Sequence, residues 1–190
     1  EVDLIEDSID RITDWTAEDR IDLRELGISD VETVQRLLIT ENGSISLLVT
    51  QNVDDLHQRA GSVDVLQMHG ALSRAKCAGC GEKWQAALNM TADDTCPSCG
   101  AKACRPDIVW FGESPYHMAE IRAAIAACDL FVVIGSSGTV YPAAGFVEFA
   151  AQAGASTLEL NLEPSSGAFE VSRQGPATVL VPQWVQEMLG

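Results

Sequence analysis

Positive charge is scarce in this sequence: 12 lysines and arginines stand against 28 aspartates and glutamates, for a formal charge of −16 at pH 7. That balance excludes phosphate backbones and anionic membranes as favoured partners, and its field suits a cationic, lysine-bearing substrate. No apolar run is long enough to cross a bilayer and no signal peptide is present, so a cytoplasmic chain is expected. No internal repeat and no low-complexity tract are found, which excludes solenoids and linker-like segments. The sequence begins at Glu1 rather than methionine, and the expectation is therefore a fragment or a processed product.

What is present suits one α/β domain with a small insert: 190 residues, 46% of them hydrophobic, supply ample core. In an intracellular chain, six cysteines favour metal or thiol chemistry over disulfides. Four of them form two knuckles, Cys77-Ala78-Gly79-Cys80 and Cys96-Pro97-Ser98-Cys99, each followed by glycine. Two sulfurs in one tight turn span an edge of a tetrahedron, so the pair of knuckles reads as a zinc ribbon. With thiolates at all four positions, no place is left for water, and the zinc is expected to be structural. Cys104 and Cys128 lie outside the knuckles and read as buried thiols.

Periodicity organises the rest. Val2, Ile5, Ile9 and Ile12 recur at helical spacing amid acidic residues, and Ser29 with Glu32 forms a capping box that opens a second helix. A turn at Asn42-Gly43 leads into a strand ending near Val49. After the cysteines, Ile108 to Gly112 reads as an extended run and Pro115 as the start of a helix whose first turn holds His117. Leu130 to Ile134 reads as a strand, Pro142 to Gln152 as a helix stopped by Gly154, and Thr157 to Asn161 as a strand. Val179 to Val181 reads as a further strand before a terminal helix. The alternation predicts a Rossmann-like, doubly wound parallel sheet carrying an inserted small zinc-ribbon module. The boundaries expected are 1–44 for an N-terminal helical segment, 45–66 and 104–190 for the Rossmann-like domain, and 67–103 for the zinc module.

Three strands end in polar clusters: Gln51-Asn52-Val53-Asp54, Gly135-Ser136-Ser137 and Asn161-Leu162-Glu163. Ligands of open α/β sheets bind outside the carboxyl ends of the strands, so the three clusters together point to a nucleotide. Any one of them alone reads equally well as a turn. Among three histidines, His69 in Gln67-Met68-His69-Gly70 stands between the first cluster and the ribbon. An imidazole can take a proton from a hydroxyl near neutral pH, although a single loop histidine is more often structural. His57, expected on a helix, and His117 carry only that structural reading.

TQNVDDLHQRAGS, MHG, the paired knuckles, RPDIVWFGE, GSSGTVYPAAGF, NLEPS and GPAT occur in the order found in sirtuins, the NAD-dependent protein-lysine deacylases. From Leu47 onward the chain resembles the bacterial branch of that family. The resemblance implies a cofactor site in which Gln51, Asn52, Val53 and Asp54 hold the nicotinamide ribose and carboxamide. It places Gly135, Ser136 and Ser137 on the adenosine and phosphate side, and Asn161, Leu162, Glu163 and Ala177 around the adenine and its ribose. By the same likeness His69 is the general base, drawing a proton from the ribose hydroxyls after the acyl oxygen of an acyl-lysine has displaced nicotinamide. Val109, Phe111, Gly112 and Glu113 are the edge on which an acyl-lysine peptide adds as a strand. Cys77, Cys80, Cys96 and Cys99 hold the structural Zn2+.

The front of the sequence departs from that pattern. Sirtuins open with a Gly-Ala-Gly-Ile-Ser phosphate loop, whereas Gly27 and Gly43 are the only glycines before Gln51. Two expectations follow: a deacylase whose phosphate loop lies outside these residues, or a degenerate sirtuin-like module that binds a nucleotide or partner without catalysis. A zinc-ribbon nucleic-acid adaptor is a more distant third, disfavoured by the negative charge.

Overall fold

The apolar run expected to be a strand ends in β1 (Leu48–Thr50), in a computed structural model that describes residues 47–91 and 93–189. The helices read at Val2–Ile12 and after Ser29 and the Asn42-Gly43 turn lie outside the described residues. The described residues divide into two units, 47–121 and 122–189.

In the first unit, β1 crosses over through the short helix α1 (Leu56–Arg59) to β2 (Val65–Gln67), which pairs with it in parallel, Thr50 opposite Gln67. β3 (Gly70–Cys77) is the middle of an antiparallel sheet, flanked by β4 (Lys83–Gln85) and β5 (Cys104–Ile108). A register shift between Ala71 and Ala75 bends β3, and Ala71, Ala75 and Met68 are buried beside it. The extended run read at Ile108–Gly112 is displaced toward the N-terminus: β5 ends at Ile108, and Glu113 N–H bonds Trp110 O at 2.9 Å to close a turn.

α2 (Met118–Ala127) buries Ile121 and Ile125 at helical spacing. It begins later than expected because His117, at φ 60°, lies in the left-handed region and outside the helix; its carbonyl accepts the Ile121 N–H at 2.9 Å.

The second unit holds a parallel sheet of β6 (Leu130–Ile134), β7 (Ser156–Asn161) and β8 (Val171–Gln174), with β7 central. Thr157 to Leu160 are all buried, as a strand covered on both faces requires. A single 3-10 turn, Ala143–Gly145, precedes α3 (Phe146–Ala153), which Gly154 ends as expected. The strand read at Val179–Val181 is instead part of α4 (Ala177–Leu189), which packs on β7. Its β-branched residues suit a strand, but the edge position is filled by the polar Val171–Gln174, and Pro176 fits just ahead of a helix.

Candidate functional site

Parallel pairing of β1 and β2 brings their carboxyl ends together, so the residues that follow each strand become neighbours. Thr50 O continues the ladder by accepting Met68 N–H at 3.0 Å. One residue further, His69 Nδ1 lies 3.2 Å from Gln51 O. A carbonyl oxygen only accepts, so Nδ1 carries the hydrogen and Nε2 keeps its lone pair. Burial lowers the His69 pKa from the ordinary 6.5, with the Gln51 bond opposing in part, so the ring favours its neutral form.

The Gln51–Asp54 loop is held from below by a residue that the sequence pattern did not single out. Gln67 is buried, and its Nε2 donates to Asp54 O at 2.6 Å. Thr50 Oγ1 accepts Asn52 N–H at 3.1 Å, and Asp54 Oδ1 accepts Leu56 N–H at 3.0 Å. Asn52 itself is exposed. The signal was available: an amide at the end of a short apolar strand must be bonded if it is buried.

The other residues expected on the nucleotide side belong to the second unit. Gly135 N–H bonds Leu160 O at 3.0 Å, which sets the end of β6 beside that of β7. Asn161 Nδ2 donates to Ser136 O at 2.7 Å, and Asn161 Oδ1 accepts Leu162 N–H at 2.9 Å. Ser137 and Thr139 share a hydroxyl bond of 2.9 Å. Leu162 is 65% exposed, an apolar surface at a strand end suited to a flat ring. Glu163 is exposed, and Ala177 opens α4. Beneath them the buried Glu159 accepts Ser165 N–H at 2.9 Å and the Ser172 hydroxyl at 2.7 Å. Burial would raise the Glu159 pKa, yet the Ser165 and Ser172 bonds bring it below its ordinary value. A carboxylate inside the central strand was the sequence signal for this support.

The knuckles bring the four expected ligands together: Cys77, Cys80, Cys96 and Cys99 Sγ atoms all lie within 4.8 Å of one another. Both knuckles are folded alike. Gly81 N–H bonds Cys77 O and Gly100 N–H bonds Cys96 O, each at 2.9 Å; Cys77 N–H bonds Glu82 O at 2.8 Å and Cys96 N–H bonds Ala101 O at 3.0 Å. The sulfur pairs Cys77–Cys99 and Cys80–Cys96 are 3.7 and 3.6 Å apart. Zinc–sulfur bonds of about 2.3 Å in a tetrahedron give edges of about 3.8 Å, so the thiols fit zinc and are too far apart for disulfides. Backbone N–H groups of Cys80 and Gly79 draw the Cys77 thiol down to about 7.

The expected peptide edge follows β5. Val109 N–H bonds His69 O at 2.8 Å, and Tyr116 N–H bonds Met68 O at 2.9 Å, so this segment returns at both ends to the peptides around His69. Phe111 is 87% exposed at its tip. Below lies a buried carboxylate that the sequence did not mark: Asp107 accepts from Tyr116 OH at 2.7 Å, Lys83 Nζ at 3.1 Å and Arg74 Nε at 3.2 Å. Burial pushes its pKa up, but these three donors more than reverse that and hold Asp107 below its ordinary value.

Residues 26–142 match the model of the family described as Sir2. The NAD-dependent protein deacylase of Bdellovibrio bacteriovorus is 46% identical over 176 residues, covering 90% of this chain and 74% of the relative. The NAD-dependent protein deacylase SIR2rp3 of Leishmania major is 51% identical over 146 residues, covering 75% of this chain; the match takes in only 60% of that relative. Among solved structures, Sir2Af2 bound to a myristoylated histone peptide aligns with a TM-score of 0.64 at 33% identity, covering 81% of this chain and 70% of the other.

Proposed function

The chain belongs to the Sir2 family, and on that premise we propose that it removes acyl groups from protein lysines at the expense of NAD, giving nicotinamide and O-acyl-ADP-ribose. The observation that carries the reading is the His69–Gln51 bond, which leaves Nε2 as the free basic nitrogen of a half-buried, neutral imidazole.

Gln51, Asn52, Val53 and Asp54 would hold the nicotinamide ribose and carboxamide. Gly135, Ser136, Ser137, Asn161, Leu162, Glu163 and Ala177 would hold the adenosine side; the polar strand ends and the exposed Leu162 surface fit such a ligand. When bound, NAD supplies the anomeric carbon that accepts the acyl oxygen as nicotinamide leaves. His69 Nε2 takes the ribose hydroxyl proton, and the Gln51 carbonyl fixes its tautomer and steadies the imidazolium formed. Val109, Phe111, Gly112 and Glu113 would present the acyl-lysine peptide as an added strand, in keeping with the acyl-peptide complex of Sir2Af2. Cys77, Cys80, Cys96 and Cys99 would hold a structural zinc, with no coordination position open for chemistry. We assign the small zinc module to 67–103 and the Rossmann-like domain to 45–66 and 104–190. Six cysteines without a disulfide suit a reducing cytoplasm, and no described helix is long and apolar enough to cross a membrane.

The test is to incubate the zinc-loaded protein with an acetyl-lysine peptide and NAD and to follow nicotinamide and O-acetyl-ADP-ribose by mass spectrometry. His69→Tyr should lower the rate by about 10² to 10⁴, the contribution of one positioned base, with zinc content unchanged. Acetate release without NAD, or a His69→Tyr variant as active as the parent, would refute the assignment.

A further inference from the structure

We propose that Arg105 and Glu113 are positioning residues for the acyl-lysine peptide: the Glu113 side chain pairs with Arg105 rather than with the peptide, and so closes the 108–113 turn into the shape on which the peptide docks. The inference rests on the deacylase reading, since it concerns the same peptide edge.

Both carboxylate oxygens of Glu113 are bonded within the turn. Its Oε1 lies 2.6 Å from Arg105 Nη1, and its Oε2 lies 3.0 Å from both Arg105 Nη2 and the backbone nitrogen of Trp110. Lys76 Nζ stands 4.0 Å from the same Oε2. The two-pronged Arg105 bond lowers the Glu113 carboxyl to about 2, so it is ionised at neutral pH. A side chain engaged in this way is held by the turn, with both oxygens already bonded within it.

Arg105 reaches the turn at its start, middle and end. Nη2 donates to Ile108 O at 2.7 Å, the guanidinium lies 3.4 Å above the centre of the Trp110 ring, and the fork grips Glu113. Its side chain is only 12% exposed. A planar, always charged fork is needed for this; a lysine ammonium can neither stack flat on the indole nor bond two oxygens in parallel. Val109 N–H and Tyr116 N–H bond the peptides on either side of His69, so the ties to the histidine do not themselves run through Arg105 or Glu113. Arg105 pairs with Lys76 in the sheet, one residue from Cys77, so the zinc knuckle anchors the arginine that sets the edge.

Two acetyl-lysine peptides, one flanked by lysines and one by glutamates, test this on the zinc-loaded full chain with saturating NAD. Glu113→Gln and Arg105→Lys should each raise KM about tenfold for both peptides, as expected when a charge-assisted bond that only shapes a binding edge is lost. The kcat, the KM for NAD and the zinc content should stay at parent values, and Glu113→Asp should recover part of the loss. A rise in KM confined to the lysine-flanked peptide would show that Glu113 meets peptide charge directly, and would overturn the proposal. A joint fall in kcat, NAD affinity and zinc content would overturn it too, by showing general fold support. Hydrogen exchange of residues 109–116 separates the proposal from the deacylase reading: it should quicken in Glu113→Gln whether or not the parent deacylates either peptide. A parent inactive on both peptides would refute the deacylase reading, while exchange unchanged by the substitution would refute the clamp.

Discussion

Replacing Gly70 by alanine should damage both stability and catalysis through one atom. A Cβ on Gly70 would lie 2.0 Å from Asp107 O and 2.9 Å from both Asp107 C and Ile108 Cα, all backbone atoms of the neighbouring strand β5. Since Cβ atoms do not approach closer than 3.0 Å, β3 and β5 must separate by 1 Å at this point. The residue also sits at φ 85°, which costs a side-chain-bearing residue about 1–2 kcal/mol. Forcing the strands apart adds about 1–3 kcal/mol, as overpacking does elsewhere. Gly81→Ala is the control: φ is 80° and nothing lies within 4 Å of its Cβ, so only the backbone strain applies. In urea unfolding of the zinc-saturated proteins, Gly70→Ala should lose about 1–3 kcal/mol more than Gly81→Ala, or roughly 1 M in midpoint. His69 is the preceding residue, and a misplacement of about 1 Å at a reacting group costs about 10²-fold in rate. Deacylation should therefore fall about a hundredfold in Gly70→Ala and hold in Gly81→Ala. If the two variants shift midpoint and rate equally, the close approach of Gly70 to Asp107 has no energetic weight and the reasoning fails.

Metal analysis should find about one zinc per chain; Cys96→Ser should lose it and become sensitive to proteolysis, while a Cys77–Cys80 disulfide in native protein would contradict the site. The lowered pKa of His69 sets the sign of two pH effects. Deacylation should hold at neutral pH and fall only as pH drops through the folded-state pKa, below the ordinary 6.5, where the base becomes protonated. The unfolded chain binds that proton more readily, so the stability contribution is complete above 6.5 and is lost as pH falls from there through the folded value. A His69→Gln comparison in acid denaturation isolates it, and a parent that gained stability over this range relative to the variant would reverse the sign.

The spacing of the cysteines carried the zinc site in full, because a knuckle is local: its sulfurs are set by one turn. β6, α3 and β7 were legible for a related reason, since covered strands and one-sided helices write their burial into consecutive residues. Val179–Val181 misled because β-branched residues describe a side-chain shape, and the edge of the sheet went instead to a polar strand whose pairing is supplied by β7. The turn at 108–113 was invisible because what bends it, Arg105 gripping Glu113 while stacked on Trp110, joins residues with no shared period. Gln67, Asp107 and Glu159 belong to the same class: each looks like an ordinary polar residue until burial forces it to find partners.

The parallel pairing of β1 with β2 separates two things that chain connectivity would join. His69 meets Gln51 because Thr50 stands opposite Gln67, and that register is set by the strands themselves. The crossover between them, residues 55–64, buries no residue in its helix and turns at Asp64 with a positive φ of 55°. The distance between His69 and the Gln51 carbonyl is thus set by the strand register rather than by the number of residues between them. Lengthening this crossover, or opening the chain within it to make new termini, leaves the ladder intact; deleting a single residue from β2 would exchange the strand's two faces and carry the imidazole away from its carbonyl.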